Sequence, residues 1–327
     1  MKFPSKLITA ICLCLFKTVV FAQSDGEPTN DLTNPYQIVT GHLKMPAGRD
    51  WGSVSAIDID PDGKSVWVAE RCSSDSIRGG YPVRGCAESD LPVILKFNSS
   101  GDMVRSFGSG IFAVPHGFHV DHDGNIWVTD APFNLPPGVE GKGHVVVKFS
   151  PLGDRLMTLG TPGVPGNDQN HFNMPSDVHV APNGDIFVAD GHGGDSNGRI
   201  VKFDSQGNYL MEWGRPGSGP GEFDTPHGLA MDSQGRLFVA DRTNNRIQIF
   251  DQEGNFLDSW EQFSRNSGIY IDANDMLYAV DSESNDNNGH GDWRRGIRVG
   301  SARTGEVHFF IPDPFDANNG PYAGSSG

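Results

Sequence analysis

Short apolar runs, each closed by Gly, Asp, Asn or Ser, recur along most of the chain. Between Thr225 and Gly254 they fall at Leu229–Met231, Leu237–Ala240 and Ile247–Phe250, and another follows at Phe256–Trp260. Asp-Ser-Gln-Gly separates the first pair and Asp-Arg-Thr-Asn-Asn-Arg the second. Runs rich in Val, Ile and Phe between turn residues predict antiparallel strands. A sheet of four such strands is too small to stand alone and is predicted to stack on copies of itself.

The copies lie at Val54–Gly108, Ala113–Gly160 and Asn173–Gly214, with a weaker one at Asn266–Phe310. An acidic residue closes the second strand of each repeat, at Glu70, Asp130, Asp190, Asp241 and Asp281, at intervals of 60, 60, 51 and 40 residues. The loops change length while the strand pattern stays constant. Five imperfect repeats of four strands predict an all-β fold, a β-propeller. After Phe310 the chain reads as a loop leading into a further blade. The expectation is a six-bladed plan with five blades recognisable and the last truncated. The predicted propeller spans 51–312, with a C-terminal loop at 313–327. Within the preceding segment, 23–50, Tyr36–Met45 is expected to add a strand that closes the ring.

Residues 1–22 place Lys2 and Lys6 before an apolar run from Leu7 to Phe16 and end on Val20-Phe21-Ala22. This pattern predicts a secretory signal peptide cleaved near Ala22, hence a secreted or periplasmic chain. Lys17 interrupts the apolar stretch, so no membrane insertion is expected after cleavage. Without Lys2, Lys6 and Lys17 the 25 basic residues fall to 22, against 41 acidic ones. That balance disfavours nucleic acid and anionic membrane as partners, and a monomer is expected. Cys72 and Cys86 remain, both in the loop after the second strand of the first repeat. In an exported chain they are expected to pair, for a gain of about 3 kcal/mol in the chain-entropy view. Asn98-Ser99-Ser100 is a glycosylation sequon.

The propeller geometry narrows the search for chemistry. The first strand of each blade lines the channel and the second returns, so residues before strand one and after strand two share a face. Pro115-His116-Gly117 and Pro226-His227-Gly228 begin strand one in repeats two and four. Arg71, His192 and Arg242 follow strand two in repeats one, three and four. All are expected around one mouth of the channel. Two histidines on alternate blades suit a zinc ion with an open position. Pro175-Ser176-Asp177 and Asn266-Ser267-Gly268 hold the same place without His, so the alternative is a mere lead into the strand. Arg71 and Arg242 read as anion clamps or as partners of the acid beside them. Arg199 and Arg246, at the start of strand three, read as structural. The Asp-x-Asp-Gly runs at Asp60–Gly63 and Asp121–Gly124 lack a later Glu and read as turns rather than calcium loops. His171 is a spare candidate, whereas His179 alternates within a strand and reads as packing.

Repeats two to four resemble NHL repeats, with Pro-x-Gly, Val-Ala-Asp and Asn-x-Arg-Ile in register. More narrowly, the stretch from Trp51 to Phe263 resembles the peptidyl-α-hydroxyglycine α-amidating lyases, most specifically at Gly166–Phe172. The resemblance implies a six-bladed propeller, a channel zinc on three histidines and a structural calcium. It also implies cleavage of a carbinolamide to a peptide amide and glyoxylate. His116 and His227 match two zinc ligands, and Arg71 and Arg242 match substrate-side arginines. The third zinc histidine belongs to the sixth blade. The family's tyrosine after Asp-Gly is replaced by His192, which becomes the expected base. The substrate would be a peptide or small carbinolamide supplied by a separate monooxygenase. Two other classes fit the repeats. One is a non-catalytic propeller binding a peptide or protein through the Cys72–Cys86 and Asp281–Gly291 loops. The other is a calcium-dependent lactonase-type hydrolase, which the paired Pro-His-Gly motifs argue against.

Overall fold

The computed structural model describes residues 27–72, 85–133 and 141–315. The predicted signal peptide at 1–22 and most of the expected C-terminal loop at 313–327 lie outside the described residues. Twenty strands form five four-stranded antiparallel sheets, each in simple sequence order. Blade one holds β1 (Val54–Ile59), β2 (Val66–Glu70), β3 (Ile94–Phe97) and β4 (Met103–Phe107). Blade two holds β5 (Pro115–Val120), β6 (Ile126–Asp130), β7 (Val145–Phe149) and β8 (Arg155–Leu159). Blade three holds β9 (Pro175–Val180), β10 (Ile186–Asp190), β11 (Arg199–Phe203) and β12 (Tyr209–Trp213). Blade four holds β13 (Pro226–Met231), β14 (Leu237–Asp241), β15 (Arg246–Phe250) and β16 (Phe256–Trp260). Blade five holds β17 (Gly268–Ile271), β18 (Met276–Asp281), β19 (Gly296–Ser301) and β20 (Val307–Pro312). No strand of a sixth blade occurs among the described residues.

The core is made between blades. Each of the first four blades turns an aromatic of its second strand toward the next blade: Trp67, Trp127, Phe187 and Phe238, none more than 1% exposed. Four apolar clusters result, one for each successive pair of blades. Burying such a ring is worth about 1.5–3 kcal/mol, so these seams carry much of the stability. A Lys or Arg lies over each ring: Lys96, Lys148, Lys202 and Arg236.

The acid that closes strand two ties each blade to its own beginning. Glu70 accepts from Gly52 N, Asp130 from Ala113 N and Val114 N, Asp190 from Asn173 N, and Asp241 from Asp224 N. In blades three and four it also pairs with Arg199 at 3.0 Å and Arg246 at 2.8 Å. Arg199 reaches on to the carbonyls of Asn167, Asp168 and His171. The Gly166–Phe172 motif is thereby held against blade three. The Asp-x-Asp-Gly runs are turns. Asp60 accepts from Asp62 N and the Trp67 indole, and Asp121 from Asp123 N and the Trp127 indole.

The segment before blade one departs from expectation. Tyr36–Met45 forms no strand, and a single parallel bridge joins Lys44 to Asp102. The segment is instead a strap between blade five and blade one. Thr29 and Asn30 receive Arg298, Thr33 O accepts from Phe310 N, and Tyr36 meets Phe309 edge-on. Leu43, Met45 and Trp51 then pack on Val68, Leu95 and Phe97 of blade one. The strap spans the one pair of neighbouring blades whose inner strands, β17 and β1, do not pack side by side.

Candidate metal centre at the channel mouth

The mouth is assembled by pinning both ends of each inner hairpin together. The residue after the strand-end acid donates its N–H to a carbonyl just before strand one. Arg71 N bonds Ser53 O, Ala131 N bonds Val114 O, Gly191 N and His192 N bond Met174 O, and Arg242 N bonds Thr225 O. Met174 and Thr225 take left-handed backbone, φ 62° and 63°, immediately before the Pro that opens strand one. For a β-branched residue such as Thr225 that conformation costs about 1–3 kcal/mol. It sits where Pro226 and His227 turn toward the channel.

His116, His192 and His227 meet there, with one ligand nitrogen of each within 4.8 Å of the others. Their ring centroids are 4.5 Å (His116–His192), 4.6 Å (His116–His227) and 5.0 Å (His192–His227) apart. His116 is 5% exposed and His227 9%. His116 Nδ1 lies 2.7 Å from Ser176 O and His227 Nδ1 2.6 Å from Ser267 O, each carbonyl belonging to the next blade. Those carbonyls only accept, so Nδ1 carries the proton and Nε2 keeps its lone pair, as metal-ligating histidines require. Gly117 is needed beside His116: a Cβ there would lie 2.4 Å from Ser176 O and Asp177 Cα.

Burial depresses the proton affinity of all three imidazoles, and neighbouring cations add to the effect. His116 is held well below the usual range by burial, then by His192 and Arg71. His227 is held there by burial, then by Arg242 and His116. His192 is pushed down to about 3 by burial, then by Arg242 and Arg71. Three neutral imidazoles, two of them with the tautomer fixed by a carbonyl, are the kind of donor set that zinc takes.

Arg71 Nε donates to Pro115 O at 3.1 Å, and its guanidinium lies 5.2 Å from the Phe133 ring centre. Phe133 stacks on His192 at 4.5 Å and 8°. Arg242 Nη1 lies 3.3 Å from Glu283, which also sits 3.4 Å from Arg265 Nε. The acids beside these arginines pair elsewhere, Glu70 with Arg49 and Asp241 with Arg246. Arg71 and Arg242 lie close enough to the imidazoles to lower their proton affinity.

His192, expected as a base, lies beside His116 and His227, and burial lowers its proton affinity to about 3. Phe133 and Arg265 complete the surroundings without having been singled out by sequence, since neither lies in the recurring part of a repeat. His171 sits away from the mouth, paired with Asp168 at 2.9 Å. Cys72 and Cys86 form a disulfide. The Asn98 side chain accepts from Ser100 N and Asp102 N within its turn. Among the described residues no helix is long and apolar enough to cross a membrane.

The described residues form a β-propeller of four-stranded blades, and the NHL repeat model matches residues 223–250. Within that class the chain resembles peptidyl-α-hydroxyglycine α-amidating lyases. It is 40% identical over 145 residues to the probable peptidyl-α-hydroxyglycine α-amidating lyase of Caenorhabditis elegans, covering 43% of this chain and 38% of that protein. It is 36% identical over 210 residues to the peptidyl-glycine α-amidating monooxygenase of Mus musculus, covering 59% and 20%. It is 35% identical over 175 residues to NHL repeat-containing protein 3 of Homo sapiens, covering 52% and 48%. The chain therefore spans less than half the length of these relatives. A nidogen–laminin complex structure aligns with a TM-score of 0.56 at 14% identity, covering 80% of each chain, which shows the fold alone.

Proposed function

We propose that the protein is an exported, zinc-dependent carbon–nitrogen lyase that splits a peptidyl-α-hydroxyglycine or a smaller carbinolamide into an amide and glyoxylate. The observation that carries this reading is the convergence of His116, His192 and His227 between two arginines. The lyase named in Caenorhabditis elegans adds the reaction class. The disulfide and the N-terminal pattern support export.

His116, His192 and His227 would hold the ion. Its chemistry, when bound, is to lower the pKa of a hydroxyl group presented to it. Arg71 and Arg242 bind the substrate carboxylate and orient the carbinol carbon toward the imidazoles. Phe133 covers His192 and keeps water from that side. In the net reaction the hydroxyl O–H and the C–N bond break, a C=O bond forms, and the amide nitrogen regains the proton.

Elemental analysis of the purified chain tests the centre. Zinc in the purified chain, reduced by one equivalent in His116→Ala/His227→Ala, is the expected result. A zinc-free chain that takes up none on titration would contradict the reading and leave a propeller that binds a peptide or protein.

A further inference from the structure

The channel carries a second layer of imidazoles, deeper than the first. Strand pairing identifies one equivalent residue in each inner strand: Asp58 opposite Trp67, His119 opposite Trp127, His179 opposite Phe187, Ala230 opposite Phe238, and Tyr270 opposite Tyr278. All five line a cavity of about 270 Å³. The trio at the mouth contributes nothing to its walls.

The polar members of this ring are adjacent. His119 and His179 have ring centres 4.5 Å apart, tilted by 39°. His119 Nδ1 lies 3.4 Å from Asp58 Oδ2, which is itself anchored by Val120 N at 2.8 Å. With Nδ1 turned to a carboxylate, His119 keeps Nε2 as its donor atom, the arrangement that raises the basicity of a ligating histidine. Neither ring nitrogen of His179 makes a hydrogen bond among the described residues, and burial keeps the ring neutral. Two imidazoles side by side in a cavity with room for water are poor packing material and a good partial coordination set.

We propose that His119 and His179 form a second metal site, for a divalent transition ion of the imidazole-preferring class, with Asp58 as the residue that positions His119. Nitrogen donors select zinc, nickel or copper over calcium and magnesium. Water in the cavity supplies the other coordination positions. The site shares no residue with the mouth and does not depend on the reading of that centre.

Zinc titration by calorimetry, with elemental analysis after dialysis, tests it on the full chain. The wild type is expected to bind two equivalents. His116→Ala/His192→Ala/His227→Ala and His119→Ala/His179→Ala are each expected to bind one, and the combined variant none. Asp58→Asn, a milder change, is expected to weaken only the deeper site by about 10–100-fold. One equivalent in the wild type, abolished by the mouth substitutions, would overturn the deeper site and leave the mouth intact. One equivalent abolished instead by His119→Ala/His179→Ala would support the deeper site and overturn the mouth. Binding unchanged in both Asp58→Asn and His119→Ala/His179→Ala would also overturn the proposal.

Discussion

Phe118 and Val120 on β5 hold the same places in their blade as Ile57 and Ile59 on β1, yet they meet opposite surroundings. The first pair is 7% and 8% exposed against blade one; the second is 60% and 48% exposed. The far side of that seam repeats the contrast. Phe238 is fully buried against blade five, while its counterpart Tyr278 is only half-buried and the neighbouring Val280 is 37% exposed. The strand pattern is therefore written alike in every blade, but burial follows only where a neighbour stands. An apolar strand face specifies what it needs and not whether the partner is there.

The largest test of this contrast is Phe238→Ala. At a closed seam it should cost about 3–5 kcal/mol, read as a lower midpoint in urea unfolding. A cost below 1 kcal/mol would mean that the seam is softer than its packing. Next, pH should loosen one closed seam selectively. Asp177, in blade three, accepts from Leu229 N of blade four, and burial raises its carboxyl to about 7 from 3.8. The folded chain then keeps a proton that the unfolded chain has lost. Stability should fall as pH rises from about 4 to 7 and level off above. Asp177→Asn should flatten that part of a pH–stability curve; an unchanged slope would place its origin elsewhere. The depressed histidines act in the opposite sense. His192 takes up its proton at about 3 in the folded chain and near 6.5 unfolded. Metal-free stability should therefore drop as pH falls from 6.5 toward 3, and His192→Phe should reduce that drop. The smallest effect belongs to the open seam. Ile57→Ala should change stability by no more than about 0.5 kcal/mol. A cost like that of Phe238→Ala would show that something covers this face in solution.

Much of this was legible in the sequence, for physical reasons. Strand runs, turn residues and the recurring acid gave the blades, because each acid from Glu70 to Asp241 performs the same local task of tying down its blade's beginning. The mouth could be found because residues before strand one and after strand two must share a face in an antiparallel hairpin. Arg199 and Arg246 read as structural from their place beside those acids, and they are. His192 was harder. Its counterparts in the other blades are Cys72, Pro132, Thr243 and Glu283, so the repeats carry no signal at that position. Its approach to His116 depends on the channel's width, which no periodicity encodes. His179 read as a packing residue because strand alternation alone cannot separate a side chain facing a neighbour from one at the channel edge. The strap from Thr29 to Trp51 escaped for a similar reason. It is held by scattered bonds to blades five and one rather than by a ladder with a period.

The proposed reaction requires that the three mouth imidazoles support chemistry. The most direct measurement is glyoxylate release from a peptidyl-α-hydroxyglycine by the zinc-loaded chain, beside His116→Ala/His227→Ala under the same conditions. The account predicts turnover by the wild type and a loss of at least about 100-fold in the variant. Equal rates in the two proteins, or no glyoxylate from a wild type that demonstrably holds zinc at the mouth, would contradict it.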